Sequence, residues 1–388
     1  YGVAGATYSS FQLVGAPVLG RWSDRYGRRK ILLLSQAGTL VSWLVFLTAF
    51  GLPRTELFHF DSSVSGAFVV TLPLVVLLLA RAMDGLTGGN VSIANAYVAD
   101  ITSEDQRATS FGQMAVSSNL GFVLGPAMAG MLGATAWGAL LPVMAAAAIS
   151  LLATLLIAFR LPDVRPCGLT RNPEQPTVRK QFGQEHRDCY AVEDAPALTF
   201  AWLTSRPGLL ALLVTYFLVM LAFNFFYVTF PVFAVGVLGW SIRDTGLFFA
   251  VMGLLMVVVQ GPFYRWITSR VSERVLVITG SLALAMGFWL FDSRTAPFIY
   301  VALGLMAVGN RVMWPSVLSL LSRAAGTIYQ GAVQGIAGSL GAVASVIGLI
   351  LGGMLFATFG PKVFWVSAAV TFMVALVGVT SSGGRPRP

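Results

Sequence analysis

The sequence predicts an all-α membrane protein built from two helical bundles, and three observations carry that expectation. Hydrophobic residues make up 56% of the 388 and charged residues only 11%, with a mean hydropathy of +0.77, whereas a soluble domain averages about 25% charged residues. The apolar residues gather into eleven runs, each near the length of the roughly 20 helical residues that cross a bilayer's hydrocarbon core. The cations collect in alternate links between those runs, as expected where Lys and Arg are retained in the cytoplasm.

In order, the runs cover about 1–20, 31–52, 66–99, 108–133, 136–159, 207–236, 244–266, 275–292, 297–322, 330–359 and 362–381. The polar stretch Arg160 to Ser205 divides them into five and six. The expected organisation is therefore an N-terminal transmembrane bundle over 1–160, a cytoplasmic central loop over 161–205 and a C-terminal bundle over 206–388. Six helices plus six, with the first missing, is the simplest account of the odd number. Within the loop, Asp194 is placed to cap a short helix from Ala195 to about Leu203, with Pro196 tolerated in its first turn. Cys167 and Cys189 also fall there and are expected to be free thiols in a reducing compartment.

Charge counting tests this topology. With Arg25 placed inside, nineteen cations fall on the cytoplasmic side, from Arg21 and Arg25 to Arg385 and Arg387, against Arg54, Arg243, Arg294 and Lys362 outside. Arg81 and Arg311, both within apolar runs, complete the 25. The net charge of +9 is thus orientation chemistry, not a phosphate-binding face, and no nucleic-acid partner is expected. An internal repeat supports two related halves: a shift of 223 places Gly112, Gly125 and Gly130 on Gly335, Gly348 and Gly353, and Met131-Leu132 on Met354-Leu355. A shift of 220 places Gly89-Asn90 on Gly309-Asn310. A substrate site then belongs between the halves near mid-membrane.

The link after the first run reads Gly20-Arg-Trp-Ser-Asp24-Arg25-Tyr-Gly27-Arg28-Arg29-Lys30. Its glycines permit a tight reversal, and one Asp among five cations points to a charge pair. The third run carries Arg81-x3-Gly85-x2-Gly88-Gly89-Asn90 and ends at Asp100. Arg81 and Asp84 are three apart and share a helix face. Charges at that depth face a cavity or a partner, or else brace helix packing as a fixed pair. Measured from an outer end near Gly66, Arg81 lies roughly 22 Å in at 1.5 Å per residue. The fourth run reads Gly112-x8-Gly121-x3-Gly125-Pro126-x2-Ala129-Gly130, where glycines allow close helix approach and proline bends the helix.

These three stretches resemble the motifs of the major facilitator superfamily, drug:proton antiporter branch. The likeness is to tetracycline-efflux proteins in Gly15-Ala-Pro-Val-Leu-Gly20, Ala99-Asp100-Ile-Thr and Gln330-Gly-Ala-Val-Gln334-Gly335. The resemblance implies the major facilitator fold of two six-helix bundles. It also implies that Gly20 packs against the eleventh helix, and that Asp24, Gly27, Arg28 and Asp100 form a cytoplasmic gating lock. Gly112, Gly121, Gly125, Pro126 and Gly130 would form the antiporter motif that shapes a gate.

There are departures from the branch. The run 31–52 has no carboxylate, and Gln260 stands in the eighth helix with no histidine. Asp292 lies at an outer helix end. Gly261-Pro-Phe-Tyr-Arg265 repeats the loop motif weakly, with Arg265 where Asp24 would be. The second lock is therefore expected to be degenerate. Candidate cavity and coupling residues are Arg81, Asp84, Asn224, Tyr227, Asn310, Arg311 and Trp314, because polar groups avoid lipid; the aromatics among them are equally compatible with packing. Asp84 is the one carboxylate placed away from a helix end.

The favoured function is a secondary active transporter, exporting small amphipathic or drug-like molecules by proton-driven alternating access. The alternative is an importer or facilitator of an organic anion using Arg81 and Arg311; a third class is a non-transporting receptor or scaffold. The sequence lacks Gly-x4-Gly-Lys-Ser/Thr, which argues against an ATP-driven pump. His59 and His186 offer no metal-ligand spacing, no catalytic constellation points to an enzyme, and no cofactor is expected. The expected partners are a small-molecule substrate, protons and the bilayer, with the chain a monomer in the plasma (inner) membrane.

Overall fold

The computed structural model describes residues 2–62, 66–101, 104–162, 208–259 and 264–380, with short pieces between 163 and 207. Helices dominate: α1 (Gly2–Tyr26), α2 (Arg28–Thr48), α3 (Leu72–Thr87), α4 (Asn90–Ile101), α5 (Glu104–Gly133) and α6 (Leu140–Arg160) come first. After the central segment follow α7 (Leu209–Gly236), α8 (Ile242–Val258), α9 (Tyr264–Thr268), α10 (Glu273–Leu290), α11 (Ala296–Phe359) and α12 (Val363–Thr380). Seven stretches among the described residues are long and apolar enough to cross a membrane. One of them, Val333–Gly378, holds two crossings separated by Gly360 at φ 57°. Adding α1, α5 and α8 gives the eleven runs read from the sequence.

The longest helical run must double back. Tyr216 meets Trp314 at 4.8 Å between ring centroids, the planes tilted by 43°, and its ring also lies 3.0 Å from where a Cβ of Gly341 would be. A straight helix would set those partners about 40 Å apart. The run α11 therefore reverses between Trp314 and Gly341, forming the two crossings expected at 297–322 and 330–359.

One boundary differs from the sequence reading. Residues 66–71 are not the start of a helix but strand β2 (Gly66–Thr71), paired antiparallel with β1 (Glu56–Ser62). The chemistry explains it: β-branched Val69, Val70 and Thr71 favour a pleat, and Pro73 in the first turn of α3 sets the helix start. Arg81 is consequently only about 14 Å into its helix, at 1.5 Å per residue from Leu72. The central segment, read as a polar loop with one short helix, carries β3 (Arg165–Pro166), β4 (Val178–Gln181), β5 (Gln184–Arg187) and β6 (Cys189–Tyr190). β4 pairs antiparallel with β5, and β3 parallel with β6. Residues 195–202 of the expected helix and Cys167 lie outside the described residues, and Cys189 is described in its backbone alone.

The chain forms two compact units. One comprises Tyr1–Ala6, Phe122–Met131 and Ala195–Pro388, the other Thr7–Gly121 and Leu132–Asp194. The first has an aromatic core in which Phe226, Phe230, Phe233, Phe288, Phe291 and Phe364 are all fully buried. Phe230 stacks on Phe248 at 4.1 Å and meets Phe291 at 5.2 Å. Such ring pairs contribute ~0.5–1.5 kcal/mol each beyond area burial. The second unit has small apolar clusters, chiefly Leu19, Ile31, Leu32 and Ile93, and holds itself together with buried polar contacts. Gln36, 9% exposed, donates to Ser150 Oγ at 3.0 Å and accepts from Asn90 Nδ2 at 3.3 Å. Arg29 donates to the carbonyls of Ile157 and Ala158, capping the C-terminus of α6.

Candidate functional site

The first candidate region lies where α1 meets α2. α1 ends at Tyr26 and α2 starts at Arg28, so Gly27 alone makes the link. Its φ of 100° is open to glycine and strained for other residues. This turn presents Arg28 to Asp100 near the end of α4, with Nε 2.7 Å from Oδ2 and side chains 12% and 17% exposed. Arg28 Nη1 also donates to Ser23 Oγ at 2.8 Å, and Ser23 donates to the Gly20 carbonyl at 2.7 Å. Gly20, Arg28 and Asp100 of the expected lock thus share one hydrogen-bonded chain. The Asp24 side chain lies outside the described residues. Ser23, fully buried, escaped the sequence reading; its place three residues after Gly20 on a helix was the available signal.

The second region is built on α3. Arg81 Nη1 lies 3.4 Å from Asp84 Oδ2. The guanidinium sits over Trp43 at 5.4 Å and Phe46 at 5.7 Å, placing a cation on two aromatic faces. Thr39 of α2 hydrogen-bonds the Asp84 carboxylate. Ser42, Trp43, Phe46, Ala80, Arg81 and Asp84 line a small recess. Backbones come very close here: a Cβ on Gly85 would collide with the Tyr8 carbonyl, and one on Gly15 with Leu86. Between α3 and α4 the helix is interrupted at Gly88-Gly89. Gln12 of α1 donates to the Gly88 carbonyl at 2.9 Å and to Tyr8 Oη at 3.1 Å. Tyr8, Gln12 and Thr39 were not among the expected site residues.

The remaining candidates divide between packing and polar roles. Asn224 donates to Ser345 Oγ at 3.1 Å and to the Met220 carbonyl at 2.8 Å, joining α7 to α11. Tyr227 is 41% exposed and meets Phe249 edge-on. Trp314 packs on Tyr216. Arg311 donates to Met256 Sδ at 3.5 Å, and Asn310 beside it is half-buried. In the antiporter-like motif of the fourth run, a Cβ on Gly130 would come 2.7 Å from Gly246 Cα, and the Pro126 carbonyl lies against Gly246. Glycine is thus required where α5 crosses α8. Gly121 and Gly125 lie on the same helix; Gly112 lies outside the described side chains.

Of the second loop motif, read as degenerate, residues 261–263 and the Arg265 side chain lie outside the described residues. Among the described residues a further ion pair joins α10 to α11. Arg323 Nη2 lies 3.1 Å from Glu273 Oε1, and Ser319 Oγ donates to the same oxygen at 2.7 Å. Relative to Arg28–Asp100 the charges are reversed, with the anion at the start of α10.

The chain is 30% identical to the class E tetracycline resistance protein of Escherichia coli over 97% of its length and 84% of that protein. It is 27% identical to the class C protein of E. coli, covering 97% and 85%. Among solved structures it is similar to the human organic anion transporter MFSD10 at 24% identity and TM-score 0.67, covering 97% of this chain and 83% of that one. It is also similar to a D-xylose–proton symporter at 17% identity and TM-score 0.68, covering 97% and 86%. The family model of the Major Facilitator Superfamily matches residues 1–342. With its apolar crossings, its internal repeat and this match over most of its length, the chain is a multi-pass integral membrane transporter belonging to the major facilitator superfamily.

Proposed function

We propose that this transporter exports small amphipathic molecules across the plasma (inner) membrane, as a monomer, by proton-driven alternating access. The observation that carries the reading is the Arg81–Asp84 pair, held inside a bundle by Thr39 and two aromatic rings and adjoining an interrupted helix. Interrupted membrane helices mark coupling sites in transporters, and an ionisable residue at this depth is functional by default. A conformational change that turns Arg81 away lets the carboxyl take a proton on one side and release it on the other. The likeness to tetracycline resistance proteins over nearly the whole chain supports the choice of amphipathic substrates.

The test uses the full-length chain in proteoliposomes with tetracycline as probe. An imposed pH gradient is expected to drive accumulation. Asp84→Asn is expected to abolish that accumulation while leaving tetracycline exchange intact. Accumulation that survives Asp84→Asn would make the pair a structural brace. Accumulation of an organic anion in place of tetracycline would favour the importer reading.

A further inference from the structure

We propose that Gln12 is a positioning residue: it holds the interruption at Gly88-Gly89 bent, and through it the Arg81–Asp84 pair is mechanically joined to Asp100. This inference rests on the transport reading above.

The carbonyls at the end of α3 have lost their helical partners and need others, most of all within a bilayer. The Thr87 carbonyl accepts from Ser35 Oγ and from the Gly89 amide. The Gly88 carbonyl accepts from Gln12 Nε2 at 2.9 Å, and the same amide nitrogen reaches Tyr8 Oη at 3.1 Å. Both N–H groups of one side chain are therefore spent at the interruption. In an unbroken helix the Gly88 carbonyl would take the amide of Ser92, four residues on. Gln12 competes with that bond, so the span has two discrete arrangements, bent with Gln12 engaged or straight with Gln12 released.

Space fixes Gln12 in this role. A Cβ on Gly88 would lie 3.1 Å from Tyr8 Oη and 3.2 Å from Gln12 Nε2. Gly85 meets the backbone of Tyr8, and Gly15 that of Leu86, without intervening side chains. The two elements flanking the interruption carry the two charged pairs. Asp84 lies one turn before it; Asp100, on the 12-residue arm α4, is bound to Arg28 at 2.7 Å. Releasing the bend swings that arm, and with it Asp100. Small displacements are amplified in this way when packed elements are bistable.

The hinge can be read without any substrate. In a chain carrying Cys167→Ser and Cys189→Ser, spin labels at Val75→Cys on α3 and Asn95→Cys on α4 report the bend as a distance. Twenty residues of straight helix span about 30 Å. Gln12→Leu is expected to move the distribution outward toward that value, and to lower the maximal rate of pH-driven tetracycline uptake about tenfold with KM within twofold. Tyr8→Phe, which leaves the Gly88 bond in place, is expected to change the rate less than threefold. If Gln12→Leu does not fold, Gln12→Met serves, since its side chain has nearly the same length and no polar hydrogen to donate. An unchanged distance distribution in the folded variant overturns the proposal, as does a KM change at constant maximal rate. A shifted distance in a protein that does not carry tetracycline would overturn the transport reading and leave the hinge standing.

Discussion

Arg28–Asp100 and Glu273–Arg323 are two solutions to one structural task, and they differ in sign. The repeat shift of 223 carries Asp100 onto Arg323, while Arg28 and Glu273 are each the first residue of their helices. In the first pair the cation stands at a helix N-terminus and the anion near a helix C-terminus, each facing the like-signed end of the helix dipole. In the second, Glu273 stands at an N-terminus, the favourable end. The serines invert as well: Ser23 Oγ accepts from Arg28, whereas Ser319 Oγ donates to Glu273. The first pair is also drier, at 12% and 17% exposed against 75% for Arg323 and 20% for Glu273. The first pair is thus held by its partners against its helices, and the second is supported by its own helix and by water. A latch that must open and close fits the first description, a permanent brace the second.

The largest effect expected of this contrast is on Asp100→Asn. It leaves Arg28 buried at an opposed dipole and removes a charge-assisted hydrogen bond contributing ~1.5–3 kcal/mol. Transport in proteoliposomes should fall more than tenfold, with a lowered melting temperature in detergent. A loss under twofold would show that the latch is not part of the cycle. The exchange Arg28→Glu with Asp100→Arg converts the first pair into the second. It should recover or exceed the wild-type melting temperature, since each charge gains about 0.3–1 kcal/mol from its dipole. Transport should stay several-fold slow because the latch then opens less readily; wild-type rates in the exchanged protein would break the comparison.

Glu273→Gln should lower transport about twofold, as Ser319 can still bond the amide oxygen. Arg323→Gln should do least, within 1.5-fold, because exposed ion pairs contribute ~0–1 kcal/mol. Raising salt from 0.05 to 0.5 M should mimic Arg323→Gln and leave the Asp100-dependent rate unchanged, since screening acts on exposed charges. A salt response confined to the Asp100 variant would reverse the assignment.

Much of this was legible in the residues. Apolar length marks the stretches able to cross a membrane, and the placement of Arg and Lys gives their orientation. The 81–84 spacing gives the ion pair because helical geometry is local. What the sequence withheld depends on contacts distant along the chain. Gln12 looks like any polar residue in a membrane helix until Gly88, 76 positions away, is seen to need a donor. Gln36 similarly becomes a buried junction only through Ser150 and Asn90. Strand β2 was misread because an apolar run of six residues has no period long enough to separate strand from helix. Glu273–Arg323 was passed over because a motif fixes residue types, whereas the pair conserves only opposition of charge.

The crossing of Gly130 and Gly246 has a genetic consequence. Every glycine codon mutates by single-base missense change to a residue that carries a Cβ, and the space for one is absent on either side. Variation at these two codons can run in one direction only, toward a wider crossing. A saturation library selected for transport should therefore be emptied at both positions together, while the surrounding lipid-facing residues drift freely.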